Sequence, residues 1–134
     1  MGRRPVIWYV ALGSAAGGAL RYLLGGWIQQ KAGGTFPLQT LLINVSGSFL
    51  LGLLQRYALE STAISPEIRT LLTIGLCGGY TTFSTFSFET VRMLEDGDWL
   101  RAGLYIGLSV ALCVAAAALG ITAARELLAL RQRI

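Results

Sequence analysis

Apolar residues in this chain do not alternate with polar ones; they run on. Between successive charged residues lie uncharged stretches of 24 residues (32–55), 19 residues (70–88) and 23 residues (102–124). At about 1.5 Å per residue, each can cross about 30 Å of hydrocarbon as a helix. A fourth run, 6–28, is broken only by Arg21, near its far end, where a long side chain can snorkel to the headgroups. The pattern predicts four transmembrane helices, roughly 5–29, 38–59, 67–94 and 99–127, in one all-α membrane domain, 1–134. Barrel strands would alternate in hydropathy, and open strands cannot satisfy their backbone groups in lipid. The first run is too long for a signal peptide and lacks a small-residue cleavage pattern, so we expect it to be retained.

Composition supports this reading: 54% of residues are hydrophobic and 13% charged, too apolar a balance for a small soluble globule. The net charge of +4 comes from basic residues at the helix edges, not from a patch suited to nucleic acid. Arg3, Arg4, Arg56, Arg69, Arg125, Arg131 and Arg133 lie on the side of the termini, and Lys31, Arg92 and Arg101 lie opposite. That asymmetry favours termini inside, although many of these arginines flank helices and do not crowd loops, where the rule is calibrated. Cys77 and Cys113 fall within spans and read as small apolar residues. There is no histidine, which removes the commonest general base and transition-metal ligand and argues against an enzyme.

Small residues mark helix contacts. Gly13 and Gly17 give the first helix a close-approach face, and Gly103, Gly107 and the alanines 115–118 do the same in the fourth. Residues 31–37 form a glycine-containing loop ending at Pro37, and Ser65, Pro66 and Glu67 signal the start of the third helix. In the second helix Thr40, Asn44 and Ser48 recur every four residues, so they form a polar stripe that lipid cannot satisfy. Trp8, Trp27 and Trp99 suit the membrane interfaces.

The third helix departs most from a plain span. Gly78 and Gly79 lie about nine residues, or about 14 Å, beyond Arg69, near the bilayer midplane. A break near 76–81 would leave unpaired carbonyls before it and unpaired N–H groups after it, which suits an ion site. The alternative is that the Gly75 to Gly79 spacing serves tight packing. Beyond it, Phe83 and Phe86 are three apart, with Thr82, Ser84, Thr85 and Ser87 beside them. Ring edges carry partial positive charge and hydroxyls donate hydrogen bonds, so such groups can replace water around a small anion without a full charge to trap it. Four helices of this size enclose little volume, so a water-filled route is expected at a subunit boundary, and hence dimerisation.

The segment Gly78-Gly79-Tyr80-Thr81-Thr82-Phe83-Ser84-Thr85-Phe86-Ser87-Phe88-Glu89 resembles the Fluc (CrcB) family of fluoride channels. Gly17-Gly18-Ala19-Leu20-Arg21-Tyr22 and Asn44-Val45-Ser46-Gly47-Ser48-Phe49-Leu50-Leu51-Gly52 extend the resemblance over essentially the whole chain. It implies an antiparallel, dual-topology homodimer in the cell's inner membrane, with two pores and a structural Na+ at the dimer interface. Phe83 and Phe86 then look like the ring pair lining the fluoride pore, Asn44 like an amide donor, and Tyr105 and Ser109 like further pore groups. Thr82 and Ser84 look like members of a polar track that Glu89 ends; Thr40 and Ser48 are assigned to the pore with their stripe. Arg21 looks like a vestibule residue that attracts anions, and Gly78 and Thr81 like carbonyl donors to sodium. The function implied is passive export of fluoride that protects the cell from its toxicity.

Two other classes were weighed. A proton-coupled exporter of cationic drugs needs a carboxylate deep in the membrane, and only Glu89 comes near. A non-transporting assembly subunit needs only the small-residue faces and leaves the hydroxyl stripe without a purpose. No phosphate-binding glycine loop is present to couple transport to ATP.

Overall fold

The computed structural model describes residues 3–61 and 63–133, so residues 1, 2, 62 and 134 of the predicted domain lie outside the described residues. Among the described residues every regular element is helical: α1 (Arg3–Ala32), α2 (Leu38–Glu60), α3 (Pro66–Thr70), a π-helical stretch (Leu71–Cys77), α4 (Gly78–Tyr80), α5 (Phe83–Glu95) and α6 (Trp99–Arg133). Two of these, α2 and α6, are each long and apolar enough to cross a membrane. The starts and stops follow local chemistry. Gly33, at φ 58°, ends α1 with its N–H on the Gln29 carbonyl, and Ser65 caps α3 by accepting from the Ile68 N–H at 3.3 Å ahead of Pro66. Gly97, at φ 78°, turns the chain from α5 into α6.

Packing follows the small residues. Helices α2 and α6 lie against each other over most of α2. A Cβ on Gly52 would collide with the Ala117 carbonyl, and one on Gly120 with the Phe49 carbonyl and, at 2.8 Å, the Leu53 nitrogen. Likewise α1 lies against the stretch 71–80: a Cβ on Gly13 would come within 2.8 Å of the Gly75 Cα, and one on Gly79 within 2.8 Å of the Ser14 Cα. The expected close-approach face of α1 thus finds its partner within the chain. The pair Gly103 and Gly107 does not; a Cβ at either would meet nothing within 4 Å.

The break falls at the far end of the expected stretch 76–81 and just beyond it. Gly78 is helical, at φ −64° and ψ −36°, and α4 runs through both glycines to Tyr80. The extended residues are Thr81 (φ −81°, ψ 158°) and Thr82 (φ −150°, ψ 110°). The glycine pair therefore does not open the helix: Gly79 is where it touches α1. Before it, residues 71–77 wind as a π-helix, which no periodicity in the sequence announces; the Thr73 hydroxyl donates to the Arg69 carbonyl at 2.9 Å as this stretch begins.

The interior is small. Leu41, Phe86 and Tyr105 form a buried cluster flanked by Phe36, Leu38, Val45 and Met93. Large apolar side chains stand exposed on every long helix, among them Trp8, Leu12, Trp27, Leu42, Leu104 and Val114. Single exposed apolar residues are ordinary on a soluble protein, but a sheath of them around the long helices requires lipid or another apolar surface.

Gly120→Ala is expected to destabilise the protein by about 1–3 kcal/mol, because a rigid backbone must shift to admit the methyl group. Gly26→Ala, where a Cβ would meet nothing within 4 Å, should be neutral or slightly stabilising. Thermal denaturation in detergent, read as loss of the monodisperse species, distinguishes them; equal effects would mean that the α2–α6 approach is looser than described.

Candidate functional site: a polar row at the helix break

An extended residue between two helices has an N–H and a C=O that neither helix satisfies. Asn44 satisfies both for Thr82. The Thr82 N–H donates to Asn44 Oδ1 at 2.7 Å, and Asn44 Nδ2 donates to the Thr82 carbonyl at 3.0 Å. Only one orientation of the amide makes both bonds, so its donor and acceptor ends are assigned by the network. The Thr82 hydroxyl caps α5, accepting from the Thr85 N–H at 3.2 Å, donating to Thr85 Oγ1 at 2.9 Å and lying 3.3 Å from Ser84 Oγ.

Because the Thr82 N–H turns to Asn44, the Gly78 carbonyl loses the donor it would have in a continuous helix. Arg21 Nη1 reaches the Thr81 carbonyl at 3.4 Å, bringing a cation to the C-terminal end of α4, whose remaining carbonyls point outward along the axis. The long Arg21 side chain thus places its guanidinium at the break.

The stripe on α2 is divided between two tasks. Asn44 holds the break, whereas the Thr40 hydroxyl donates to Glu89 Oε1 at 2.9 Å. The other carboxylate oxygen, Oε2, accepts from the Tyr105 hydroxyl at 2.7 Å. Glu89 thus ties α2, α5 and α6 together, and both hydroxyls give their hydrogens to it. Tyr105 has no exposed surface; its ring packs 5.0 Å from Phe86 and edge-on to Phe36 at 5.5 Å.

Phe83 and Phe86 are neighbours, with centroids 5.4 Å apart and planes inclined by 48°. They differ in surroundings: Phe86 is buried at 9% exposure, and Phe83 projects from the chain at 78%. Both border a cavity of about 330 Å³ together with Asn44, Ser48, Thr82 and Ser109. Ser109 Oγ is buried and has no hydrogen-bond partner among the described residues. An amide nitrogen carries two hydrogens, and Asn44 spends one on Thr82. The cavity is therefore walled by an amide with a hydrogen to spare, by serine and threonine residues and by two aromatic rings, with no cationic side chain among its walls.

Of the residues singled out from the sequence, Asn44, Ser48, Thr82, Phe83, Phe86 and Ser109 meet at this cavity, and Thr81 also borders it. Thr40 and Arg21 border a larger one of about 960 Å³ with Thr82 and Thr85. Ser84 is exposed beside the break; Glu89 and Tyr105 border neither cavity, although the Tyr105 ring packs on Phe86, which does. Two contributors carried no signal. Phe36 lies in what reads as a loop, and Ser46, whose hydroxyl is 2.9 Å from Tyr80 Oη, stands two residues off the stripe.

This is a helical membrane protein built around an interrupted helix, with a row of neutral donors where the interruption falls. A family model described as "CrcB-like protein, Camphor Resistance (CrcB)" matches residues 8–121. Similar proteins include two named fluoride-specific ion channel FluC, from Geobacter metallireducens and Geobacter sulfurreducens. They are 49% and 50% identical to this chain over 118 residues, or 88% of it and 95% of each relative. One of the same name from Paramagnetospirillum magneticum is 50% identical over 117 residues, or 86% of this chain and 91% of its own length. The chain belongs to the CrcB-like family.

Thr40→Val and Tyr105→Phe each remove one donor to Glu89. Each single change is expected to cost about 1–3 kcal/mol, since it leaves a carboxylate oxygen short of a partner in a poorly solvated place. A double-mutant cycle on thermal stability in detergent should give non-additivity of at least about 0.5 kcal/mol. Strict additivity would mean that Glu89 does not couple the helices.

Proposed function

We propose that this chain is a fluoride-specific ion channel that lets fluoride leave the cell down its electrochemical gradient. The observation that carries the reading is the cavity that Asn44, Ser48 and Ser109 border together with Phe83 and Phe86. The name borne by relatives at about half identity over most of the chain supports it. The activity is conduction, not catalysis.

Fluoride is small and holds its water strongly, so a path must return hydrogen bonds as it removes them. The Asn44 amide and the Ser109 hydroxyl supply two, and the ring edges of Phe83 and Phe86 supply partial positive charge. None of these is a full charge, so binding stays weak enough for release. Arg21, at the neighbouring cavity, raises the local anion concentration. Thr40, Tyr105 and Glu89 act one layer out, holding α2, α5 and α6 in register.

The working form in this reading is an antiparallel homodimer of four-span chains in the inner membrane, with fluoride and the bilayer as partners besides the second copy. The 78% exposure of Phe83 and the open faces at Gly78, Gly103 and Gly107 support a second copy as their cover. The Gly78 carbonyl, left without the Thr82 amide, and the Thr81 carbonyl, whose only side-chain donor among the described residues is Arg21 at a long 3.4 Å, are neutral hard oxygens of the kind an alkali cation takes. Sodium bound to them would supply structural positive charge at the C-terminal end of α4; it is not the transported ion.

Reconstituted in liposomes, the protein should release fluoride, read with a fluoride electrode, and retain chloride. Absence of fluoride efflux would refute the channel, and equal loss of both ions would make it a general anion pore. Phe83→Ile and Phe86→Ile should each lower fluoride flux at least about tenfold, as expected for loss of about 1.4 kcal/mol or more of stabilisation along the path. Unchanged flux would remove the rings from the mechanism. Tags on either terminus should be reachable from both sides of the membrane; confinement to one side would overturn the antiparallel arrangement.

A further inference from the structure

Three cavities adjoin one another along the chain. The cavity of Arg21 and Thr40 shares Thr82 with the cavity of Phe83, Phe86 and Ser109. That second cavity shares Ser48 and Leu51 with a third, of about 500 Å³, bordered farther along by Gln55, Arg56 and Arg125. On ideal helices Arg56 lies about 18 Å beyond Asn44, and Arg125 about 24 Å beyond Ser109. These arginines stand on α2 and α6, the two helices that also carry Asn44 and Ser109. The neutral row therefore has a cationic group at each end, although no role so far described uses the pair at the far end.

Their charges are not equally available. Arg56 forms an ion pair with Glu60 one turn on, while its Nε is buried without a hydrogen-bond partner. Arg125 is exposed and, among the described residues, takes part in no ion pair. Glu60 offsets part of the Arg56 charge, so Arg125 carries the larger share of the field at this end.

We propose that Arg56 and Arg125 form a second anion-gathering mouth, at the end of the neutral row opposite Arg21. This rests on the channel reading and extends it: the conducted anion enters or leaves along the groove beside the α2–α6 seam, passing the two arginines and Gln55 before reaching Ser48. A mouth of this kind acts by raising the local anion concentration, not by binding the ion in the narrow part of the path. Its influence must then fade when salt screens the field or when the permeating anion saturates the path.

The test uses the full-length protein in liposomes, with fluoride flux measured at low and at saturating fluoride, in about 10 mM and about 500 mM inert salt. Arg125→Gln should lower flux at low fluoride and low salt by about two- to fivefold, the scale of one charge removed at about 5–10 Å in water-like surroundings. Arg56→Gln should lower it less, and Arg125→Lys should restore it. Flux at saturating fluoride, or in high salt, should stay within about 1.5-fold of the unsubstituted protein, because screening and saturation both remove the advantage. Arg131→Gln is the control: Arg131 lies nearer the end of α6, donates to Ser61 Oγ and does not border the cavity, so its loss should leave flux unchanged.

An Arg125→Gln variant that conducts normally at low fluoride and low salt overturns the mouth while leaving the channel intact. An equal loss in Arg131→Gln also overturns it, by assigning the effect to general surface charge. A loss that persists at saturating fluoride would place Arg125 in the conducting path itself and refute a gathering role. If the unsubstituted protein passes no fluoride, the channel reading fails and this inference fails with it.

Discussion

Asn44 and Thr82 hold this structure open at its centre. An extended residue between two helical segments inside an apolar protein would leave a donor and an acceptor without partners, each costing about 1–3 kcal/mol. One amide side chain on α2 meets both, much as a neighbouring strand would. The remaining features of the break follow from that pairing. Once the Thr82 N–H is turned toward α2, the Gly78 carbonyl loses its helical donor, the Thr82 hydroxyl is placed to cap α5, and α5 starts on a new axis.

The new axis places Phe83 and Phe86 on the wall shared with Ser109, and it carries Glu89 to where Thr40 and Tyr105 can reach it. Two polar clusters therefore brace one short helix. Asn44 fixes its beginning and Glu89 its middle, and both are reached from α2 by residues four apart. This spacing matters because the buried apolar cluster of Leu41, Phe86 and Tyr105 is too small to position α5 by packing alone. Partly buried hydrogen bonds set the geometry, and the small-residue contacts of α1 and α6 hold the surrounding helices in place.

Much of this was legible in the chain. Long uncharged runs gave the helices, because lipid forbids unpaired backbone and charge alike. The stripe of Thr40, Asn44 and Ser48 was legible because polar side chains repeated every four residues cannot all face lipid. Ser65, Pro66 and Glu67 marked the start of the third helix by local capping alone. The break shows where such reading stops: two glycines weaken a helix in isolation, yet both stay helical where Gly79 packs against Ser14, and the chain opens at Thr81 and Thr82, where the amide from a distant helix meets it. The π-helical stretch before it has no periodic signature, and Phe36 reads as loop until its ring is seen against Tyr105.

The sequence by itself therefore determined the solvent, the helices and the polar positions that needed partners, since each depends on neighbours along the chain or on the cost of burying charge. The tertiary structure alone decided who those partners are. That Asn44 spends one hydrogen on Thr82 and keeps another, that Tyr105 and Thr40 give theirs to Glu89, and that Ser109 gives its hydrogen to none of the described residues are outcomes of three helices meeting. Hydrogen bonds act over about 3 Å, and no pattern along one helix specifies which side chain of another arrives within that distance.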